Sequence, residues 1–139
     1  MMYLLDTNIC IYTMKGQFPG LQDRIEKEGL FNISLSAVTV AELGYGIAKS
    51  RYPEKNRGLL YGFLSPFEMI PFSELDTENF GYIRACLNKN GTPIGPYDLQ
   101  IAAQCVTRGL CLVTNNVGEF ARVPGLKREN WAQGPDAIR

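Results

Sequence analysis

The chain has 139 residues, with 14 Lys and Arg balancing 14 Asp and Glu, and it contains no histidine. That length suits one domain with its own core, which needs neither metal nor disulfide merely to fold. Without histidine there is no Ser-His-Asp or Cys-His nucleophile, no imidazole acid–base pair and no histidine-bearing zinc site, so hydrolytic chemistry would fall to carboxylates with a metal.

Met2-Tyr3-Leu4-Leu5 is a short apolar strand that halts at Asp6-Thr7-Asn8. A helix over Ile9–Met14 stops at Lys15-Gly16. Phe18-Pro19-Gly20 opens a second over Leu21–Lys27, with Gly29 past its end. Phe31–Leu35 alternates as the second strand. Ser36 then caps a helix over Ala37–Ser50, whose apolar face takes Val38, Ala41, Leu43 and Tyr45. Pro53 ends that helix, and another spans Glu54–Leu64. Phe67–Phe72 is a third strand, held to a sheet edge by Pro71. Asp76–Leu87 is helical with Phe80, Ile83 and Leu87 on one face, and Asn88–Gly95 is a loop. Pro96 starts a helix over Tyr97–Thr107 that Gly109 ends. Leu110–Val113 is a buried strand stopping at Thr114-Asn115-Asn116, and Leu126–Trp131 is the last strand. Residues 1–132 form the domain and 133–139 a loose tail.

Strands that alternate with helices and read as continuous apolar runs predict a parallel sheet with helices on both faces. In such sheets the ligand site lies beyond the carboxyl ends of the strands. Two strands end there in polar clusters, at Asp6-Thr7-Asn8 and Thr114-Asn115-Asn116.

The four cysteines, Cys10, Cys86, Cys105 and Cys111, have no C-x-x-C spacing and sit among apolar neighbours, which predicts buried free thiols. Asp6 interrupts the first apolar run, and no run approaches the ~20 residues needed to span a bilayer. A soluble, cytoplasmic protein is the expectation. The clusters Lys49, Arg51, Lys55, Arg57 and Arg122, Lys127, Arg128 offer local basic ground at zero net charge, although a solvated surface accounts for any one of them.

Taken singly, the acids have ordinary roles: Asp6 as a helix cap, Glu42 facing solvent, Asp98 complementing a helix dipole, Glu119 exposed at a helix start. Yet Asp6 ends the first strand while Glu42 and Asp98 sit near the beginnings of helices that follow loops, so the topology can gather them at one sheet edge. Carboxylates 4 Å apart repel by about 4 kcal/mol at an effective dielectric of 20. Such a cluster lasts only with shared protons or a bound cation. A hard ion such as Mg²⁺ or Mn²⁺ suits all-oxygen ligands and can activate water without histidine.

The ordered set Leu5-Asp6-Thr7-Asn8, Val40-Ala41-Glu42-Leu43, Pro93-Ile94-Gly95-Pro96-Tyr97-Asp98, Val113-Thr114-Asn115-Asn116 and Glu119-Phe120 resembles the PIN-domain ribonucleases, in particular the VapC toxins of bacterial toxin–antitoxin pairs. The likeness covers Tyr3 to Trp131. It implies a three-layer α/β/α sandwich on a five-stranded parallel sheet, with divalent-metal-dependent endoribonuclease activity. It also implies homodimerisation, room for higher toxin–antitoxin assembly, and inhibition by a VapB-type antitoxin.

Matched residue by residue, Asp6 and Asp98 are the metal carboxylates and Glu42 and Glu119 the additional acids. Asn116 stands where many relatives carry Asp, so it orients groups without supplying charge. Thr7, Asn8 and Thr114 match supporting hydrogen-bond partners. Toxins of the closely similar enterobacterial-type branch cut initiator tRNA near the anticodon. The expected substrate is therefore tRNA first and mRNA second, gripped by Arg51, Tyr52 and Arg57. An inhibitor would reach the acids with Arg, whose planar fork suits carboxylates. Ile9, Ile11, Tyr12 and Met14, or the Glu54–Leu64 helix, are the candidate shared surfaces of a dimer. A phosphatase with Asp-x-Asp is excluded by Asn8, and a phosphoacceptor domain by the missing acidic neighbour of Asp6. The alternative from another class is a non-catalytic interaction domain whose acids are dispersed caps.

Overall fold

The computed structural model describes residues 2–132. The expected tail over 133–139 lies outside the described residues. Five strands are present: β1 (Tyr3–Leu5), β2 (Ile33–Ser36), β3 (Glu68–Ile70), β4 (Cys111–Val113) and β5 (Lys127–Glu129). They form one parallel sheet in the order β3-β2-β1-β4-β5. The helices are α1 (Thr7–Met14), α2 (Pro19–Glu28), α3 (Ala37–Ala48), α4 (Pro53–Leu64), α5 (Thr77–Lys89), α6 (Pro96–Arg108) and α7 (Val117–Phe120).

The two-residue alternation of a strand divides the core into two layers. Tyr3 and Leu5 point to a cluster with Ile9, Leu21, Ile25, Leu43 and Leu60. Leu4 points the other way, to Ile83, Leu87, Leu99, Ile101 and Phe120. Helices α1–α4 thus cover one face and α5–α7 the other, which makes the three-layer α/β/α sandwich. Pro71 does hold β3 to an edge, and Pro96 does open α6, with Gly109 closing it in the left-handed region at φ 66°.

Several local expectations are corrected. The second strand starts at Ile33, because Gly29 turns the chain at φ 92° and Leu30–Asn32 form one tight 3₁₀ turn that leaves Phe31 exposed. α3 ends at Ala48, and it buries Thr39 and Leu43, whereas Ala41 and Tyr45 face outward. α5 runs on to Lys89 into the expected loop. The last strand is only Lys127–Glu129, since Trp131 turns into the core against Tyr3 with ring centroids 4.8 Å apart. Of the α1 residues offered as a dimer surface, Ile9 is wholly buried, Ile11 and Tyr12 are half-buried and Met14 is exposed, while α4 exposes Leu59 and Tyr61. Cys10, Cys105 and Cys111 are buried and Cys86 half-buried, all four as free thiols. Burial pushes the Cys10 and Cys105 thiols up, away from reactive thiolate.

Two polar contacts cross the interior. Ser36, which caps α3, donates its hydroxyl to Gln104 of α6, and the Gln104 amide donates to the Ile70 carbonyl at 3.1 Å. The carboxylate of Asp76, with no exposed surface, is bound by Arg108 and by the Ser73 backbone N–H at 2.8 Å.

Candidate active site at the carboxyl ends of β1 and β4

The chain lays down β1, β2 and β3 on one side, then returns to place β4 on the other flank of β1. β1 and β4 therefore meet at the topological switch point, where open α/β sheets form their crevice. Asp6 leaves β1 there, its N–H donating to the Val113 carbonyl at 3.0 Å. Its Oδ1 accepts from Ile9 N–H at 2.9 Å, so Asp6 caps α1, which begins at Thr7 rather than Ile9. Asp6 is only 4% exposed. Burial pushes its carboxyl up; the Thr114 hydroxyl and the Ile9 N–H oppose that, and the charges of Glu42 and Glu119 add to it. It is a cap and a member of an acidic group at once.

Glu42 is fixed from α1. Thr7 donates its hydroxyl to Glu42 Oε1 at 2.8 Å, and the buried Thr39 hydroxyl lies 3.1 Å from Thr7, which it serves as donor because the Thr7 proton is engaged. Asp98 sits in the first turn of α6, where the cap position belongs to Gly95. The Asp98 carboxyl is pushed up to about 7, first by burial, then by the charge of Glu119 and a hydrogen bond shared with it, and then by Glu42 and Asp6. Glu119 accepts from the Asn116 side chain and, at 3.4 Å, from Gly95 N–H. The fold therefore brings Asp6, Glu42, Asp98, Glu119 and Asn116 to one cup.

Among the described residues none of the four acids has an ion-pair partner; Arg24 and Arg108 take Glu28, Glu129 and Asp76 instead. Nor do any three Asp, Glu or Cys side chains among them already close a coordination shell. The acids act on one another across an open cup.

Thr7 and Thr114 contact the acids, whereas Asn8 is exposed in the wall of an adjoining groove. Arg51 and Tyr52 lie at the α3–α4 turn with the guanidinium 5.4 Å from the ring centroid, and Arg57 follows in α4; none belongs to the cup. Sequence reasoning missed Thr39, the Gly95 N–H and the Asn115 amide that donates to the Tyr12 hydroxyl at 3.2 Å. A hydroxyl three residues before Glu42 in an otherwise apolar helix was the available signal for Thr39.

The PIN domain family matches this chain over residues 3–126, and the chain belongs to it. Within that family the chain belongs to the VapC ribonucleases and is a nuclease. It is 40% identical over 129 residues to the tRNA(fMet)-specific endonuclease VapC of Salmonella typhimurium, covering 93% of this chain and 97% of that protein. It is 42% identical over 129 residues to ribonuclease VapC2 of Haemophilus influenzae, with 93% and 97% covered. The structure of VapBC2 from Rickettsia felis, bound to a DNA fragment from its promoter, superposes with a TM-score of 0.89 at 39% identity, covering 94% of this chain and 99% of that one.

Proposed function

We propose that this protein is the toxin of a VapBC-type toxin–antitoxin pair, a Mg²⁺- or Mn²⁺-dependent endoribonuclease that cuts tRNA, with initiator tRNA the first candidate and mRNA the second. The observation that carries the reading is the mutual electrostatic coupling of four acids that lack any described cationic partner. The substrate is suggested by the Salmonella relative, whose name specifies tRNA(fMet).

The donor set fits a hard divalent cation, because every candidate ligand is oxygen and the local charge is uncompensated. Asp6 and Asp98 would hold it, with Glu42 and Glu119 completing the cup. A bound ion supplies Lewis-acid stabilisation of charge on the phosphoryl oxygens and makes water a usable nucleophile at neutral pH. Thr7 keeps Glu42 directed inward, Thr114 orients Asp6, and Asn116 steadies Glu119. Asp98, with a carboxyl near 7, is able to take up or release a proton at working pH. Arg51, Tyr52 and Arg57 would contact RNA outside the cup.

The partner would be a VapB-type antitoxin that inserts Arg among the acids, since a guanidinium offers five donors to carboxylates with no cation of their own. The toxin would be a cytoplasmic homodimer; no helix among the described residues is long and apolar enough to cross a membrane. Sequencing of RNA ends after expression of the wild type and Asp98→Asn tests the reading. A discrete tRNA cut present only with the wild type is expected. An identical cut with the variant would overturn the site.

A further inference from the structure

We infer that Ser36 and Gln104 are positioning residues for the metal site, a buried hydrogen-bonded tie that fixes the helix carrying Glu42 against the helix carrying Asp98. The inference rests on the nuclease reading above and adds two side chains that act on the cup through α3 and α6. The four acids reach the cup as two pairs from opposite faces of the sheet. Asp6 and Glu42 are joined through α1, which Asp6 caps and whose Thr7 donates to Glu42. Asp98 and Glu119 share a hydrogen bond on the other face, where Gly95 N–H at the head of α6 donates to Glu119. An ion held by both pairs has to span the gap between them.

The strands do not set the spacing of Glu42 and Asp98 directly, because β2 leads into α3, α6 leads into β4, and β1 lies between β2 and β4. Ser36 and Gln104 link the two helices themselves. Ser36 is the cap of α3 and stands six residues before Glu42, and Gln104 stands six residues after Asp98 in α6. At 1.5 Å rise per residue, the tie lies about 9 Å along each helix from the acid it serves. Its bonds form one chain: Val38 N–H donates to Ser36 Oγ at 3.0 Å, the Ser36 hydroxyl to Gln104 Oε1, and Gln104 Nε2 to the Ile70 carbonyl at 3.1 Å. Each bond in such a chain polarises the next. Among the described residues, no other hydrogen bond joins α3 or its cap to α6. Neither side chain has exposed surface, and Gln104 follows Ile101, Ala102 and Ala103 of the apolar layer. Apolar packing is non-directional, so it would hold α6 to the sheet without setting its slide along α3. A buried amide costs free energy unless its bonds are made, so it is satisfied in one register of the two helices and penalised in others.

The test is Mn²⁺ binding by calorimetry without RNA, followed by cleavage kinetics, at a temperature where melting shows each variant folded. Gln104→Met keeps the size of the side chain and removes both of its bonds. Its Mn²⁺ affinity is expected to fall about tenfold or more, and kcat with it, while KM for RNA stays within about twofold. Ser36→Ala should give a similar loss, and Ser36→Thr, which keeps a hydroxyl for cap and tie, should restore most of it. Arg108→Ala loosens the far end of the same helix and should leave Mn²⁺ affinity within about twofold of the wild type. Wild-type affinity in Gln104→Met and Ser36→Ala would overturn the inference. So would an equal loss in Arg108→Ala, since any weakening of α6 would then suffice. If Gln104→Met does not fold, Ser36→Ala against Ser36→Thr decides alone. A wild type that takes up no Mn²⁺ would overturn the nuclease reading and the tie together, whereas uptake lost in Asp98→Asn but kept in Gln104→Met would remove the tie alone.

Discussion

Helix α6 meets a sheltered carboxylate at each end, and the two are treated in opposite ways. At its carboxyl end Arg108 closes on Asp76, which also receives the Ser73 N–H; opposite charges meet and the donors are used. At its amino end Asp98 faces Glu119, Glu42 and Asp6, and its carboxyl rises to about 7. Both charged residues suit the helix dipole, so that cannot separate them. What differs is the neighbour. A carboxylate sheltered beside a guanidinium is part of the scaffold, whereas one sheltered beside other carboxylates is poised for a cation.

The largest effect that should follow from this contrast belongs to the scaffold end. Arg108→Ala would leave Asp76 buried without its counter-ion, and the expected loss is about 3–5 kcal/mol of stability, read from urea denaturation. A loss below ~1 kcal/mol would mean that water already serves Asp76. At the other end the balance reverses. Asp98→Asn and Asp6→Asn should each reduce RNA cleavage by about 100-fold or more, while the metal-free proteins melt no lower than the wild type because repulsion is relieved. A clear drop in melting temperature without loss of cleavage would make these acids structural.

A smaller effect is expected one contact away. Thr7→Val removes the hydroxyl that holds Glu42, and cleavage should fall about tenfold with the fold intact; Thr7→Ser should restore most of it. The smallest is a pH effect on stability. Asp98 titrates near its ordinary 3.8 when unfolded and at about 7 when folded. Between those values the native state keeps a proton that the unfolded chain has lost. The contribution is fully present below about 4 and disappears as pH rises through about 7. Because Asp98 is only half-buried, solvent weakens the effect. Melting of the metal-free protein across this range should show the decline, and Mn²⁺ or Asp98→Asn should flatten it. A decline that persists in Asp98→Asn would assign it to another group.

The sheet and the cup were legible because they depend on local signals. Tyr3–Leu5 and Cys111–Val113 are uninterrupted apolar runs that end in Asp6 and Thr114, and Pro96 and Gly109 mark the bounds of α6. Four acids just after a strand or within the first two turns of a helix could then be brought to one edge by topology. The scaffold pair was not legible. Asp76 and Arg108 are 32 residues apart, and nothing in either segment distinguishes a buried charge from a solvated one. The outward turn of Ala41 and Tyr45 was missed for a related reason: hydrophobicity was read as burial, although α3 buries Thr39, whose hydroxyl has a partner in Thr7. Burial follows the partner available, which sequence spacing does not report.

The two borders of the sheet limit how copies of this protein can associate. β3 is three residues long and is followed by Pro71, and its Ile70 carbonyl is already occupied by the Gln104 amide. β5, the opposite border, is Lys127-Arg128-Glu129, with both basic side chains exposed. Short, charged or blocked borders resist extension by a foreign strand. Growth of the sheet from molecule to molecule, the usual route to fibrillar aggregates, is therefore closed in both directions. Regulated assembly must proceed through helix surfaces, where side-chain complementarity sets the choice of partner.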